Sequence, residues 1–460
     1  MYIKLIIIVI FCLTFFALFY AINKNIRGAL ISLLVFLLGF NVAYNEIIPQ
    51  SYVLGTVSNY RMFQIHIVDL IMVISVFGGI ISLLKQNKQF LFTKISERIP
   101  FFKNQFKFGK FLLLLKNNYL IVLVVFSILL QLLMSIFFHK DVVSIMWSAR
   151  FLLYFVAVLV FKKYFYNSID DRKTIVIKSV FTGIFPIIGI NLIVACFQVI
   201  LSRSLGLTML GESPIDKYST GIALLRISDI YILRGYGFFA HPNILGAFAF
   251  FSLLLADVFN SKLLNNVNHR LINIFRLMCF GVILVSFSKI IIFIALLYLI
   301  VRMFKINPKI QIYISFLVIV SIYLLPLLYK KIEIQSFELR GLQLSTAFNY
   351  LLSSFPQSLL GKGYMGWLLV TAKDPILLPT GAYFLQPLHN TFLLMLIEWG
   401  IFSIPFILLI FQKGLWQIKH SGNLGVVFLF CLGMFDHYFI TIPIGILIML
   451  VIILGSERSK

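Results

Sequence analysis

The sequence predicts an all-α, polytopic integral membrane protein of about 12–13 transmembrane helices with a structured outer loop. Three observations predict it. Apolar runs of about 20 residues, enough to cross a hydrocarbon core about 30 Å thick, recur along all 460 residues. The chain is 61% hydrophobic and 12% charged, with a mean hydropathy of +1.01, too apolar for a water-facing surface. The basic residues behind the net charge of +23 sit mainly between the apolar runs, as positive-inside loops do. Membrane lipids are therefore expected partners and nucleic acid is not. No tract is large and polar enough for a separate soluble domain, so 1–460 reads as a single integral membrane domain.

The spans fall roughly at 2–22, 29–48, 65–84, 119–138, 146–164, 175–200, 242–259, 271–287, 290–304, 310–328, 391–411, 424–439 and 440–455, the last two being separate or one bent helix. The first carries Lys4 ahead of an apolar run, as a secretory leader does. It lacks a small-residue cleavage site, and Lys24 and Arg27 follow it, so it reads as a retained helix. Cys12, Cys196, Cys279 and Cys431 lie far apart inside apolar runs and read as core residues. The tract 85–118 holds Lys85, Lys88, Lys94, Arg98, Lys103, Lys107, Lys110 and Lys116 against Glu97, which makes it a basic cytoplasmic loop. Counting outward, the remaining cytoplasmic loops hold Lys24/Arg27, Lys162/Lys163/Arg172/Lys173, Lys262/Arg270, Lys305/Lys309 and Lys413/Lys419. Each of them is basic. The loops 201–241 and 329–390 then face outward, and both mix charge with Gly, Pro, Ser and aromatics, as binding loops do.

Helices starting at Pro242, Ile290 and Thr391 all run inward from that outer face. Their free N–H groups and positive dipole ends favour an anion there. Polar motifs stand at each start: Arg234-Gly235-Tyr236-Gly237-Phe238-Phe239-Ala240-His241-Pro242-Asn243, Ser286-Phe287-Ser288-Lys289, and His389-Asn390. An imidazole with an ordinary pKa of about 6.5 suits proton acceptance near neutral pH, so His389 is the candidate general base. Arg340 and Arg234 offer bidentate, permanently charged forks for a diphosphate. Lys289 and Arg150, the latter costly within a span unless it faces a partner or a wet cavity, are secondary phosphate ligands. Asn390 suits a helix start. The bland readings are a capping His389, outer ion pairs of Arg340 with Glu338 and Arg234 with Asp229, and a snorkelling Lys289.

Glu398 is an unsuitable partner for His389. Nine residues of helix turn through about 900° and rise about 13.5 Å, which puts it on the opposite face. A polar link to a neighbouring helix suits it better. Gly361-Lys362-Gly363 lacks the spacing and hydroxyl of a phosphate-binding P-loop. Asp436-His437-Tyr438 could line the outer cavity, but a metal site there needs more ligands than the sequence places.

These motifs, in this order over 234–400, resemble the O-antigen ligase/polymerase superfamily, bacterial membrane glycosyltransferases of the GT-C type. The matching residues are Arg234-Gly235 with His241-Pro242-Asn243-Ile244-Leu245-Gly246, Ser286-Phe287-Ser288-Lys289, Arg340 ahead of Gly361-Lys362-Gly363, and His389-Asn390 with Glu398-Trp399-Gly400. The family often has Ser-Arg where this chain has Ser288-Lys289, so a bidentate fork becomes a point charge. The resemblance implies a GT-C fold in the bacterial inner membrane and a donor on undecaprenyl diphosphate. It also implies transfer on the periplasmic side with no cofactor, nucleotide sugar or required metal. His389 would be catalytic, Arg340, Arg234, Arg150 and Lys289 would bind diphosphate, and Asn390, His241 and Asn243 would support them. A chain-length regulator and a flippase of the same pathway are the implied protein partners.

Three functions stay open. The first is a polymerase joining lipid-linked repeat units into O-antigen or capsule. The second is a ligase moving the chain to lipid A-core or protein. A lipid-linked sugar transporter, of a different class, predicts polar residues spread through span centres and an internal repeat. The motif residues gather at one face instead.

Overall fold

The computed structural model describes residues 2–81, 108–166, 170–219, 222–227, 229–259, 269–303, 310, 335–353, 359–373, 386–421, 432–434 and 436–454. They are mostly helical, with a few short strands in the connections where an all-α chain was expected. In chain order the helices are α1 (Tyr2–Asn23), α2 (Ile26–Leu37), α3 (Ile67–Ile81), α4 (Phe108–Met134), α5 (Val142–Tyr166), α6 (Asp170–Leu201), α7 (Pro242–Phe259), α8 (His269–Val285), α9 (Lys289–Met303), α10 (Gln335–Ser353), α11 (Trp367–Thr371), α12 (Thr391–Trp399), α13 (Ile404–Ser421), α14 (Tyr438–Thr441) and α15 (Pro443–Leu454). The strands are β1 (Ala43–Glu46), β2 (Tyr52–Val53), β3 (Thr56–Val57), β4 (Phe63–His66), β5 (Leu224–Ile227) and β6 (Ile230–Leu233). Among the described residues, four segments are long and apolar enough to cross a membrane: Tyr119–His139, Val142–Lys163, Thr174–Leu201 and Thr391–Gly414. The expected span 310–328 and most of the basic loop 85–118 lie outside the described residues, apart from position 310 and the start of α4.

Two expected spans differ in instructive ways. The run 29–48 is helical only as far as Leu37; Gly39 then packs where any Cβ would strike Ile187, and the chain extends into β1. Apolar composition alone does not register that turn. The run 391–411 breaks at Gly400, which has φ +58° and ψ −139°. A Cβ there would lie 2.2 Å from the Leu359 carbonyl oxygen, so only glycine fits. The break frees helix carbonyls that must be satisfied in an apolar setting. A loop supplies the donors: Lys362 N–H bonds Ile397 O at 3.0 Å and Gly363 N–H bonds Glu398 O at 2.9 Å.

The chain divides into two compact units. One comprises Met1–Tyr44, Gln64–Ile71 and Asn167–Ile306; the other comprises Asn45–Phe63, Met72–Tyr166 and Asn307–Lys460. In the first, α2 lies against α6, where a Cβ on Gly183 would meet Ser32 O at 2.3 Å. Ser32 Oγ in turn donates to Ser179 O at 2.9 Å. Small residues and hydroxyl bonds are what bring helices together when the surroundings are as apolar as the side chains. Two buried amides of α6 then position the loop ahead of α7. Gln198 Oε1 accepts from Tyr236 N and Gly237 N, and Asn191 Oδ1 accepts from Phe238 N.

The second unit is built around aromatic rings. Trp147 stacks on Tyr364 at 5.7 Å, and Phe151 meets Trp399 edge-on at 4.8 Å and Phe406 at 5.4 Å. Such pairs contribute about 0.5–1.5 kcal/mol each beyond area burial. A buried ion pair adds direction: Arg61 holds Asp141 at 2.8 Å and also donates to the carbonyls of Gln50 and Met365.

Candidate functional site

In the first unit the starts of α7 and α9 meet around Arg234. Its Nε donates to Ser286 O at 3.0 Å and its Nη2 to Asn243 Oδ1 at 2.7 Å. Ser288 Oγ donates to the same Asn243 oxygen at 2.9 Å. His241 starts α7: its carbonyl accepts from Ile244 N, and its Nδ1 accepts from Asn243 N at 3.2 Å. Pro242 follows at the first helical position, where its missing N–H costs nothing. Gly235 lets the strand end approach closely enough for its N–H to bond Val285 O at 3.0 Å, where a Cβ would sit 2.7 Å from Val285. A half-buried guanidinium is thus fixed beside two helix N-termini, a setting that favours an anion. Lys289 is exposed at the first position of α9. Asp229 reaches Arg226 at 4.0 Å rather than Arg234, so that pair of the bland reading does not form.

The second unit holds His389 and its surroundings. Asn390 is the N-cap of α12 and its side chain accepts from Leu393 N at 2.9 Å, as an asparagine at a helix start does. That cap sets the ring of the preceding residue at the helix mouth. His389 Nδ1 lies 3.6 Å from Asp436 Oδ1, with the two side chains 20% and 10% exposed. This is ion-pair range and too long for a hydrogen bond. Thr391 Oγ1 donates to Asp436 O at 2.7 Å and ties the two segments together. Asp436 Oδ1 also accepts from His437 N at 2.8 Å. The His437 ring lies 5.1 Å from that of His389 and 5.7 Å from that of Tyr60. Burial, and then the nearby Asp436 carboxylate, push the Tyr60 phenol well above its ordinary range. A neutral phenol, two imidazoles and one carboxylate therefore share this corner. Such a group can accept a proton and stabilise the cation that results.

The remaining expected residues sit elsewhere. Arg150 is buried in the second unit, with its guanidinium 4.4 Å over the Trp147 ring. Arg340 lies within α10, and its side chain is outside the described residues. Glu398 is fully buried, and Gln131 and Gly363 donate to its backbone oxygen. Sequence reasoning placed Asp436 and His437 at most along an outer cavity, with no third residue beside them. The fold brings His389 next to both. The available signal was a lone Asp-His pair at the start of an apolar run, but nothing local says which distant loop it meets. Comparison with protein-family models, curated proteins and solved structures finds no match for this chain.

Proposed function

We propose that this chain is a membrane glycosyltransferase that polymerises lipid-linked oligosaccharide, moving a chain from undecaprenyl diphosphate onto the non-reducing end of another lipid-linked unit. In this reading it is a GT-C type protein of about 12–13 spans in the bacterial inner membrane, with His389 open to the periplasm. The observation that carries it is the His389 imidazole set 3.6 Å from the Asp436 carboxylate at the mouth of α12. Neutral His389 takes the proton of the acceptor hydroxyl through Nε2. The freed oxygen pair attacks the anomeric carbon, and the bond to the diphosphate oxygen breaks, leaving its electron pair on phosphate. Asp436 stabilises the imidazolium that forms, as a carboxylate near a histidine base does.

Charge building on the leaving diphosphate needs fixed cations. The candidates are Arg340 and Arg234, with Arg150 and Lys289 secondary; Arg340 and Arg150 belong to the same unit as His389, and in the other unit Arg234 is held by Asn243 and the Ser286 carbonyl. His241 and Asn243 keep that guanidinium in place, and Asn390 keeps His389 in place. The test is purified protein with a synthetic polyprenyl diphosphate oligosaccharide, alone and with lipid A-core. A product ladder in the first mixture supports polymerisation, and product only in the second makes the chain a ligase. His389→Ala abolishes either product. Movement of the lipid across vesicles without any new glycosidic bond refutes transfer altogether and points to a transporter.

A further inference from the structure

We propose that His389, Asp436 and His437 form a three-ligand site for a first-row divalent cation of the Zn²⁺ class. One ligand atom from each residue lies within 4.8 Å of the others. Two edges of that triangle meet at Asp436 Oδ1, 3.6 Å from His389 Nδ1 and 3.8 Å from His437 Nε2. Ligands on a tetrahedral zinc with bonds of about 2.0–2.1 Å stand about 3.3 Å apart, so the two edges at Asp436 close by a few tenths of an ångström and the edge between the two histidines, within 4.8 Å, by up to about 1.5 Å, a rotation of the rings.

Thr441 Oγ1 lies 3.0 Å from His437 O and 2.7 Å from His437 Nδ1, so the hydroxyl holds the Nδ1 edge of the ring and turns Nε2 towards Asp436. In the tautomer with the proton on Nδ1, Nε2 presents a lone pair. That lone pair faces a carboxylate oxygen, and His389 Nδ1, which makes no hydrogen bond, faces the same oxygen. A cation between these three atoms would turn two contacts of 3.6 and 3.8 Å into bonds and give His389 Nδ1 a partner. A ring N–H held by a second residue is how ligating histidines are oriented. Two imidazoles and one carboxylate select zinc and its neighbours over Mg²⁺ or Ca²⁺, which prefer oxygen.

A consequence rests on the transfer reading above. Neutral imidazole has a single lone pair, so a cation on His389 Nδ1 leaves the proton on Nε2. Cation binding and proton acceptance by His389 are then mutually exclusive, and Zn²⁺ inhibits transfer.

The test uses the full chain in nanodiscs, stripped with a chelator and titrated with Co²⁺. We expect the intense visible bands of a low-coordinate Co²⁺ site at one ion per chain, displaced by one equivalent of Zn²⁺ and not by Mg²⁺. His437→Gln and Asp436→Asn weaken binding at least about tenfold, and Thr441→Val, which keeps all three ligands, weakens it about 10–100-fold. A spectrum that stays that of aqueous Co²⁺, or equal affinity in wild type and all three variants, overturns the site. In the transfer assay, one equivalent of Zn²⁺ suppresses product and chelator restores it. Transfer that proceeds unchanged with Zn²⁺ bound overturns the exclusivity. Absence of transfer from metal-free protein would refute the glycosyltransferase reading while leaving the Co²⁺ result to stand or fall by itself.

Discussion

Asp436→Asn removes a charge and almost nothing else. The amide oxygen still accepts from His437 N–H, and the backbone carbonyl still receives Thr391 Oγ1. What disappears is a negative charge 3.6 Å from His389 Nδ1. Coulomb attraction across that gap is about 1 kcal/mol in bulk water and about 4.6 kcal/mol at an effective dielectric constant near 20. With both side chains mostly buried, a loss of about 2–4 kcal/mol follows, or about 30- to 1000-fold in rate. The charge acts only once the imidazolium forms, so kcat and kcat/KM fall together while KM stays put. The assay is single-turnover transfer from a synthetic polyprenyl diphosphate oligosaccharide, with His389→Ala as the floor. Activity of the Asn variant within threefold of wild type, above an inactive His389→Ala, would refute the pairing as a functional one.

Other perturbations read other parts of the structure. Arg61→Met strands the Asp141 carboxylate and two carbonyls in a buried setting; thermal unfolding in detergent should show a loss of about 3–5 kcal/mol, as for other broken buried pairs. Asn390→Ala removes the cap of α12 and costs about 1 kcal/mol; Asn390→Asp restores the stability, and a variant as stable as wild type contradicts the cap. For Tyr60, the folded state keeps a proton that the unfolded chain loses at about pH 10. The folded protein then binds more protons, so stability falls as pH climbs above about 10, by up to about 1.4 kcal/mol per pH unit. Tyr60→Phe flattens that alkaline slope, measured as melting temperature against pH. Gly183→Ala forces α2 and α6 apart at Ser32 and destabilises by about 1–3 kcal/mol, read in the same melting experiment.

Which features were legible in the sequence follows from range. Helix starts at Pro242 and Thr391, and the capping role of Asn390, depend on neighbours within four residues, and the structure has them where the sequence put them. The close packing of Gly39 on Ile187 and the break at Gly400 beside the Leu359 carbonyl depend on residues distant in sequence. Hydropathy averages over such points and runs straight through them. Arg234 shows both cases at once. Its motif was readable as an anion ligand, and the bland alternative offered Asp229, close in sequence, as an ion-pair partner. The hairpin of β5 and β6 instead leaves Asp229 at its exposed turn beside Arg226.

The sequence by itself determined the apolar helices and the polar residues at their starts, because composition, period and capping chemistry are local, and it made His389 the candidate base. Tertiary structure alone decided that Asp436 and His437 face that imidazole, and that Asn243 and the Ser286 carbonyl hold Arg234. Ring orientation and partner choice are set by how helices pack and where loops return, and those distances are not encoded in any short stretch of the chain.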